Sequence, residues 1–307
     1  MSNVTFQKFI GILLFLSSFF LLQACDEVED EELPDPTVSL TDTYSVKYVS
    51  DMTTITAGKS TFTLRITEIA TSTPTPGLTV AVMPMMEMVA GHMHDAPVTA
   101  VTDNGDGSYE ATVYYLMPSS MNGTKMGDWE LQIMIGGMGG EVARFEPDVK
   151  MAMNASFQLK GQADMIMGMN GGDPLPRTYF IFKDSLMGTT GNHSLKLFLA
   201  ARESMMSHVA LHENVTLNAG AMYEYLISPI SVEVSTDETN WTAMFDQGDG
   251  NWTVTGLTGL TDGVQASIYI KLTIQGEQKT TNGLAEAGDG SNDYGVFTLT
   301  PGMTMSM

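Results

Sequence analysis

The sequence predicts an all-β chain of two tandem immunoglobulin-like β-sandwich domains, preceded by a lipoprotein signal peptide and an acidic linker. Three observations predict it. From Thr41 onward, short β-branched and aromatic runs are broken by Gly, Asn, Asp and Pro. No long stretch carries the periodicity of an amphipathic helix. The second half also repeats the first: Val98 to Tyr109 aligns with Trp241 to Trp252 at a constant offset of 143, and seven of the twelve positions are identical or exchange one aromatic for another.

In chain order, Lys8 supplies a positive start and Phe9 to Leu22 is a nearly unbroken apolar run of signal-peptide length. The run is shorter than the roughly 20 residues of a membrane-spanning helix. It closes on Leu22-Gln23-Ala24-Cys25, which resembles a bacterial lipobox and implies lipidation at Cys25. Residues 1–24 are therefore expected as the signal peptide and 25–40 as the lipidated cysteine with its tether. Seven acids between Asp26 and Asp35 make that tether solvated and self-repelling. They also resemble a sorting signal toward the outer membrane, so the expected location is an outer-membrane lipoprotein, periplasm-facing or surface-exposed. Cys25 is the single cysteine, so no disulfide forms within the chain. A net charge of −22 argues against nucleic acid as a partner, because that binding rests on Lys and Arg neutralising phosphates.

The first sandwich is expected over 41–153, with strands at Tyr44 to Val49, Ser60 to Ile66, Leu78 to Val82, Val98 to Asp103, Ser108 to Leu116, Trp129 to Ile135 and Glu141 to Met151. Seven strands in about a hundred residues is the density of a sandwich. Asp103-Asn104-Gly105-Asp106-Gly107 reads as a hairpin turn, since it lacks the alternating ligands and distal glutamate of a calcium loop. A Met/Gly-rich connector is expected over 154–176, a second, degenerate sandwich over 177–303, and a tail over 304–307.

Between two predicted strands lies the most specific chemistry in the chain. Met83 to His94 holds five thioethers and two imidazoles in twelve residues, and fifteen of the 25 methionines fall between Met83 and Met169. Thioether sulfur is soft and never protonated at physiological pH, so with imidazole it suits copper, Cu(I) above all, in an oxidising envelope. Methionine is also an adaptable filler of irregular cores. The paired histidines favour metal for the cluster, on a loop between strands. Met205, Met206, His208 and His212 form a possible second site, with His208 and His212 sharing a face if that stretch is a short helix. His193 is expected at the surface.

Met83-Pro84-Met85-Met86, Gly91-His92-Met93, Gly107-Ser108-Tyr109 and Met126-Gly127-Asp128-Trp129 together resemble the FixH-like/YtkA-like modules. These are small envelope sandwiches associated with copper handling and cytochrome oxidase assembly. The resemblance covers about a third of the sequence. It implies His92, Met88 and Met126 as metal ligands, with Met85 and Met93 as near neighbours. His94 joins the candidate set because it is two residues from His92, which an extended backbone points to the same side. Val89 and Ala90 separate Met88 from Gly91, which departs from the family pattern.

Catalysis finds little support, for there is no thiol nucleophile, no Gly-x-Ser-x-Gly elbow, no His-Glu-x-x-His helix and no phosphate-cradling glycine loop, and the many acids mark out no particular carboxylate pair. The expected function is copper binding for buffering, delivery or tolerance, with the membrane reached through the lipid and a copper donor or acceptor protein as partner. The alternative is a surface adhesion or protein-interaction lipoprotein without metal, whose methionines form an adaptable contact surface.

Overall fold

The computed structural model describes residues 35–137, 139–168, 171–204, 206–283 and 293–302. Cys25, the signal peptide and most of the tether lie outside them. Among the described residues no helix is long and apolar enough to cross a membrane. The chain from Pro36 onward is one compact unit and is all-β.

Its first half builds two large antiparallel sheets and a separate two-stranded one made by its ninth and tenth strands. The strands are β1 (Val38–Leu40), β2 (Tyr44–Tyr48), β3 (Gly58–Glu68), β4 (Thr73–Pro74), β5 (Val80–Met88), β6 (Met93–Asp95), β7 (Thr102–Asp103), β8 (Ser108–Tyr115), β9 (Ser120–Met121), β10 (Thr124–Lys125), β11 (Gly127–Ile135) and β12 (Glu141–Phe145). One sheet runs β1-β2-β3-β8-β7 with β4 added to β3, and the other β12-β11-β5-β6. Side-chain alternation puts Tyr109, Ala111, Val113 and Tyr115 of β8 and Trp129, Leu131 and Ile133 of β11 into one core between the sheets. Trp129 meets Tyr115 edge-on at 4.9 Å and donates its indole N–H to the Met117 carbonyl at 3.1 Å.

The second half repeats this topology. It comprises β13 (Ser156–Ile166), β14 (Leu175–Thr189), β15 (Asn192–Ser204), β16 (Ser207–Ala210), β17 (Thr216–Leu217), β18 (Tyr225–Leu226), β19 (Ile230–Ser235), β20 (Thr242–Ala243), β21 (Phe245–Asp246), β22 (Asn251–Leu257), β23 (Ala266–Ile274), β24 (Glu277–Lys279) and β25 (Gly295–Leu299). The sheets run β13-β14-β15-β22-β21 with β16 on β15, and β20-β19-β23-β24 with β25 on β23. Strand for strand, β22 answers to β8, β15 to β3 and β19-β20 to β5-β6. The repeated Asp-x-Gly-Asp-Gly segments are paired Asx turns. Asp103 and Asp106 accept from the amides of Gly105 and Ser108, as Asp246 and Asp249 accept from those of Gly248 and Asn251. Gly107 in the first turn has φ +82°, and a Cβ there would come within 2.6 Å of Pro74, so glycine alone lets β4 lie against the turn.

The halves meet through a third cluster. Phe180 and Phe182 of β14, Phe198 and Ala200 of β15 and Tyr114 of β8 all point away from their own cores and bury one another. Tyr114 stacks on Phe198 at 4.1 Å between centroids, and its hydroxyl donates to Asp184 at 3.0 Å. Lys59 reaches the same carboxylate at 2.9 Å.

Several elements differ from the expectation. β1 lies within the stretch expected as tether, held by pairing with β2. The expected connector contains β13, which pairs with β14 over Ser156 to Ile166. Val98 to Asp103 is strand only at its end, with an isolated bridge from Val98 to Val113. His193 is buried rather than at the surface, its ring Nε2 2.9 Å from Asp262.

Candidate metal centre

Met83 to His94 is a β-hairpin rather than a loop. Methionine is unbranched and no strong strand former, but here the neighbouring ladders fix its backbone. β5 pairs with β11 from Val80 to Met88 and with β6 from Met85 to Glu87. Pro84, which has no N–H to give, falls just beyond the β6 ladder. The turn closes by Gly91 N–H donating to the Met88 carbonyl at 2.8 Å and Met88 N–H donating to the His92 carbonyl at 2.9 Å.

The strand conformation sorts the twelve residues by face. Pro84, Met86 and His94 point inward. Met86 is fully buried, and His94, 5% exposed, meets Trp129 edge-on at 5.4 Å and donates from Nδ1 to the Asp95 carbonyl at 3.1 Å. Burial pushes the His94 pKa down, which favours the neutral imidazole. Met86 and His94 are thus core side chains. Met86→Ala is expected to cost about 2–5 kcal/mol by opening a cavity, and Met85→Ala less than about 0.5 kcal/mol; urea unfolding of the two variants measures the contrast.

Met85 and Met93 point outward. With Glu87, Asp128, Glu130 and Glu146 they line a concavity of about 420 Å³ on the open face of the sheet. Two of its acids are engaged, Asp128 by Lys125 at 2.7 Å and Glu130 by Arg144 at 2.6 Å. Exposed pairs of this kind contribute little stability.

A third group forms at the hairpin end. Val89 N–H donates to the Met126 carbonyl at 3.0 Å, beside the Met88–His92 bond, so the backbones of Met88, His92 and Met126 converge there. His92 is exposed, whereas Met126 packs partly against the core. The Met-Gly-Asp-Trp step is explained by the same contact. A Cβ on Gly127 would come within 2.3 Å of the Glu87 carbonyl and 2.9 Å of Met88 Cα, so only glycine lets β11 close on β5 at this point. Two thioethers and an accessible imidazole are a donor set that fits a soft ion.

The possible second site does not assemble. Met205 lies outside the described residues and Met206 is exposed. His208 and His212 are not on a helix, because β16 is held extended by β15. The His208 ring is fully buried, its Nδ1 2.6 Å from Asp95 of the first half, and it stands edge-on to Phe180 at 5.1 Å. His212 donates to the Glu213 carbonyl at 3.0 Å. Among the described residues, no group of three or more His, Cys, Asp or Glu side chains is placed to hold a metal. The link from Asp95 to His208 left no signal in the sequence, since the two are 113 positions apart. No protein-family model matches the chain, and no curated protein matches it.

Proposed function

We propose that the protein is a lipid-anchored envelope protein of two tandem immunoglobulin-like domains that binds copper, Cu(I) in preference, for buffering, delivery or tolerance. Met88, His92 and Met126 are its ligands, and its partner is a copper donor or acceptor protein. The observation that carries the reading is the backbone convergence at the hairpin end of the three residues that the resemblance to FixH-like/YtkA-like modules implies as ligands. Thioether and imidazole hold a soft ion without the thiols that an oxidising compartment would consume. Met85 and Met93, on the neighbouring face, would offer an approaching ion a softer second contact beside carboxylates. His94, buried against Trp129, is left out of the proposed ligand set.

Chelator competition with Cu(I) on the chain lacking residues 1–35 tests this. Replacing Met88 by Leu, His92 by Ala and Met126 by Leu together should weaken binding by about a hundredfold or more. Met85→Leu with Met93→Leu should have a smaller effect. Absence of binding at micromolar Cu(I), or equal binding by the triple variant, would contradict the assignment.

A further inference from the structure

Because the halves share one topology, the hairpin that carries methionine and histidine in the first has a counterpart, β19-β20, in the second. Its turn holds a different chemistry. Asp237 accepts from the amides of Thr239 at 2.9 Å and Asn240 at 2.8 Å and from the Ser235 hydroxyl at 3.0 Å, bonds that hold its carboxyl well below the ordinary range. Glu238, next in sequence, is held at φ +65°, a conformation that costs a non-glycine residue energy and that clusters at functional sites.

This rigid turn lays Trp241 on the outward face of β23. Alternation buries Ile268, Ile270 and Leu272 in the core and turns Tyr269 and Lys271 outward. Lys271 Nζ sits 3.8 Å from the indole centroid, Tyr294 lies 5.3 Å from Trp241, and Tyr269 meets Tyr294 edge-on at 5.6 Å. The Tyr294 hydroxyl donates to Glu238 at 2.5 Å, and the indole N–H donates to the Glu238 carbonyl at 3.2 Å. The other two tryptophans, Trp129 and Trp252, are 1% and 3% exposed and serve the cores, whereas Trp241 and Tyr294 stay partly exposed.

We propose that Trp241, Tyr294 and Tyr269, with Glu238 and Lys271, form a carbohydrate-binding platform. A pyranose is amphipathic, with an apolar C–H face that stacks on an aromatic ring and a rim of hydroxyls that needs polar partners. The platform matches both demands. The rings adjoin one another and Val296, which lies opposite Tyr269, and the outward positions around them are polar at Ser231, Ser267 and Thr273, so the apolar surface is small and rimmed by hydroxyls. A cationic ligand is disfavoured because the Lys271 ammonium already occupies the indole face. Glu238 supplies an acceptor beside the Tyr294 hydroxyl, and Lys271 a donor over the indole face.

The test is native affinity electrophoresis of the whole mature chain in gels containing laminarin, xylan, galactomannan or glycogen. Tryptophan fluorescence with acrylamide is read in parallel, since only Trp241 is open to the quencher. Retardation in at least one gel is expected, with the same polysaccharide shielding the indole from acrylamide. Trp241→Ala and Tyr294→Ala should each weaken retardation by about tenfold, while replacing Met88, His92 and Met126 leaves it intact. Shielding of the wild-type indole needs no variant, so misfolding of Trp241→Ala cannot mask the answer. No retardation in any of the four gels, equal retardation of Trp241→Ala, or shielding by tetramethylammonium in place of sugar would overturn the proposal.

Discussion

Arg177→Met is expected to destabilise the C-terminal half by about 3–5 kcal/mol, the cost of leaving a buried charge without its partner. Arg177 is fully buried and spends all its N–H groups inside the protein. Nε donates to Asp164 at 2.7 Å, one terminal nitrogen to the Arg202 carbonyl at 2.8 Å and Asn218 at 2.9 Å, and the other to the carbonyls of Met165 at 3.2 Å and Tyr223 at 3.0 Å. One side chain therefore ties β13, β15 and the segment around β17 and β18 together. Tyr179 donates to the same Asp164 oxygen, and burial beside that carboxylate pushes the phenol far above its ordinary range. Without the guanidinium, Asp164, 2% exposed, keeps only the phenol among the described residues. Adding Asp164→Asn should recover part of the loss, because the orphaned charge is gone. Urea unfolding followed through the buried Trp252 measures both steps. A loss below about 1 kcal/mol for the single variant would show that water or a rearranged loop replaces the guanidinium.

Tyr114→Ala is expected to cost about 3–5 kcal/mol, the range for truncating a large buried aromatic. Its ring is sandwiched at the seam against Phe198 and Phe182, and its hydroxyl satisfies Asp184, whose side chain is 5% exposed. The loss falls on the contact between the halves rather than on either core. Trp129 and Trp252, one in each core, should both report an earlier transition in the variant, and with the seam weakened the two transitions should separate. A change within about 0.5 kcal/mol would mean that the halves stand without each other.

Much of the fold was legible because alternation and turn chemistry are local. Ser108 to Tyr115 and Gly127 to Ile135 announce themselves by inward aromatic and aliphatic residues at every second place, and the Asx turns by their glycines. The internal repeat foretold the repeated sheet order. Less was legible where a side chain serves a distant partner. Tyr179-Phe180-Ile181-Phe182 and Leu195 to Ala201 are rich in apolar residues on both faces, as strands covered on both sides are, and the seam between the halves is what covers the second face. The methionine hairpin escapes because thioethers give no strand signal, and the two histidines, two apart and so on one side of an extended chain, separate because only His94 lies in β6 while His92 falls in the turn before it. The hairpin end therefore gathers only part of the expected ligand set, leaving Met85 and Met93 on the open face and His94 in the core. Trp241, Tyr269 and Tyr294 lie on separate segments, and only the sheet register joins them.

X-ray absorption at the copper edge of the Cu(I)-loaded protein tests the central claim most directly. Thioether sulfur together with imidazole nitrogen should surround the ion. The sulfur contribution should fall away when Met88 and Met126 are leucine and persist when Met85 and Met93 are. An unchanged spectrum in the Met88→Leu, Met126→Leu variant would contradict a copper centre at the hairpin end.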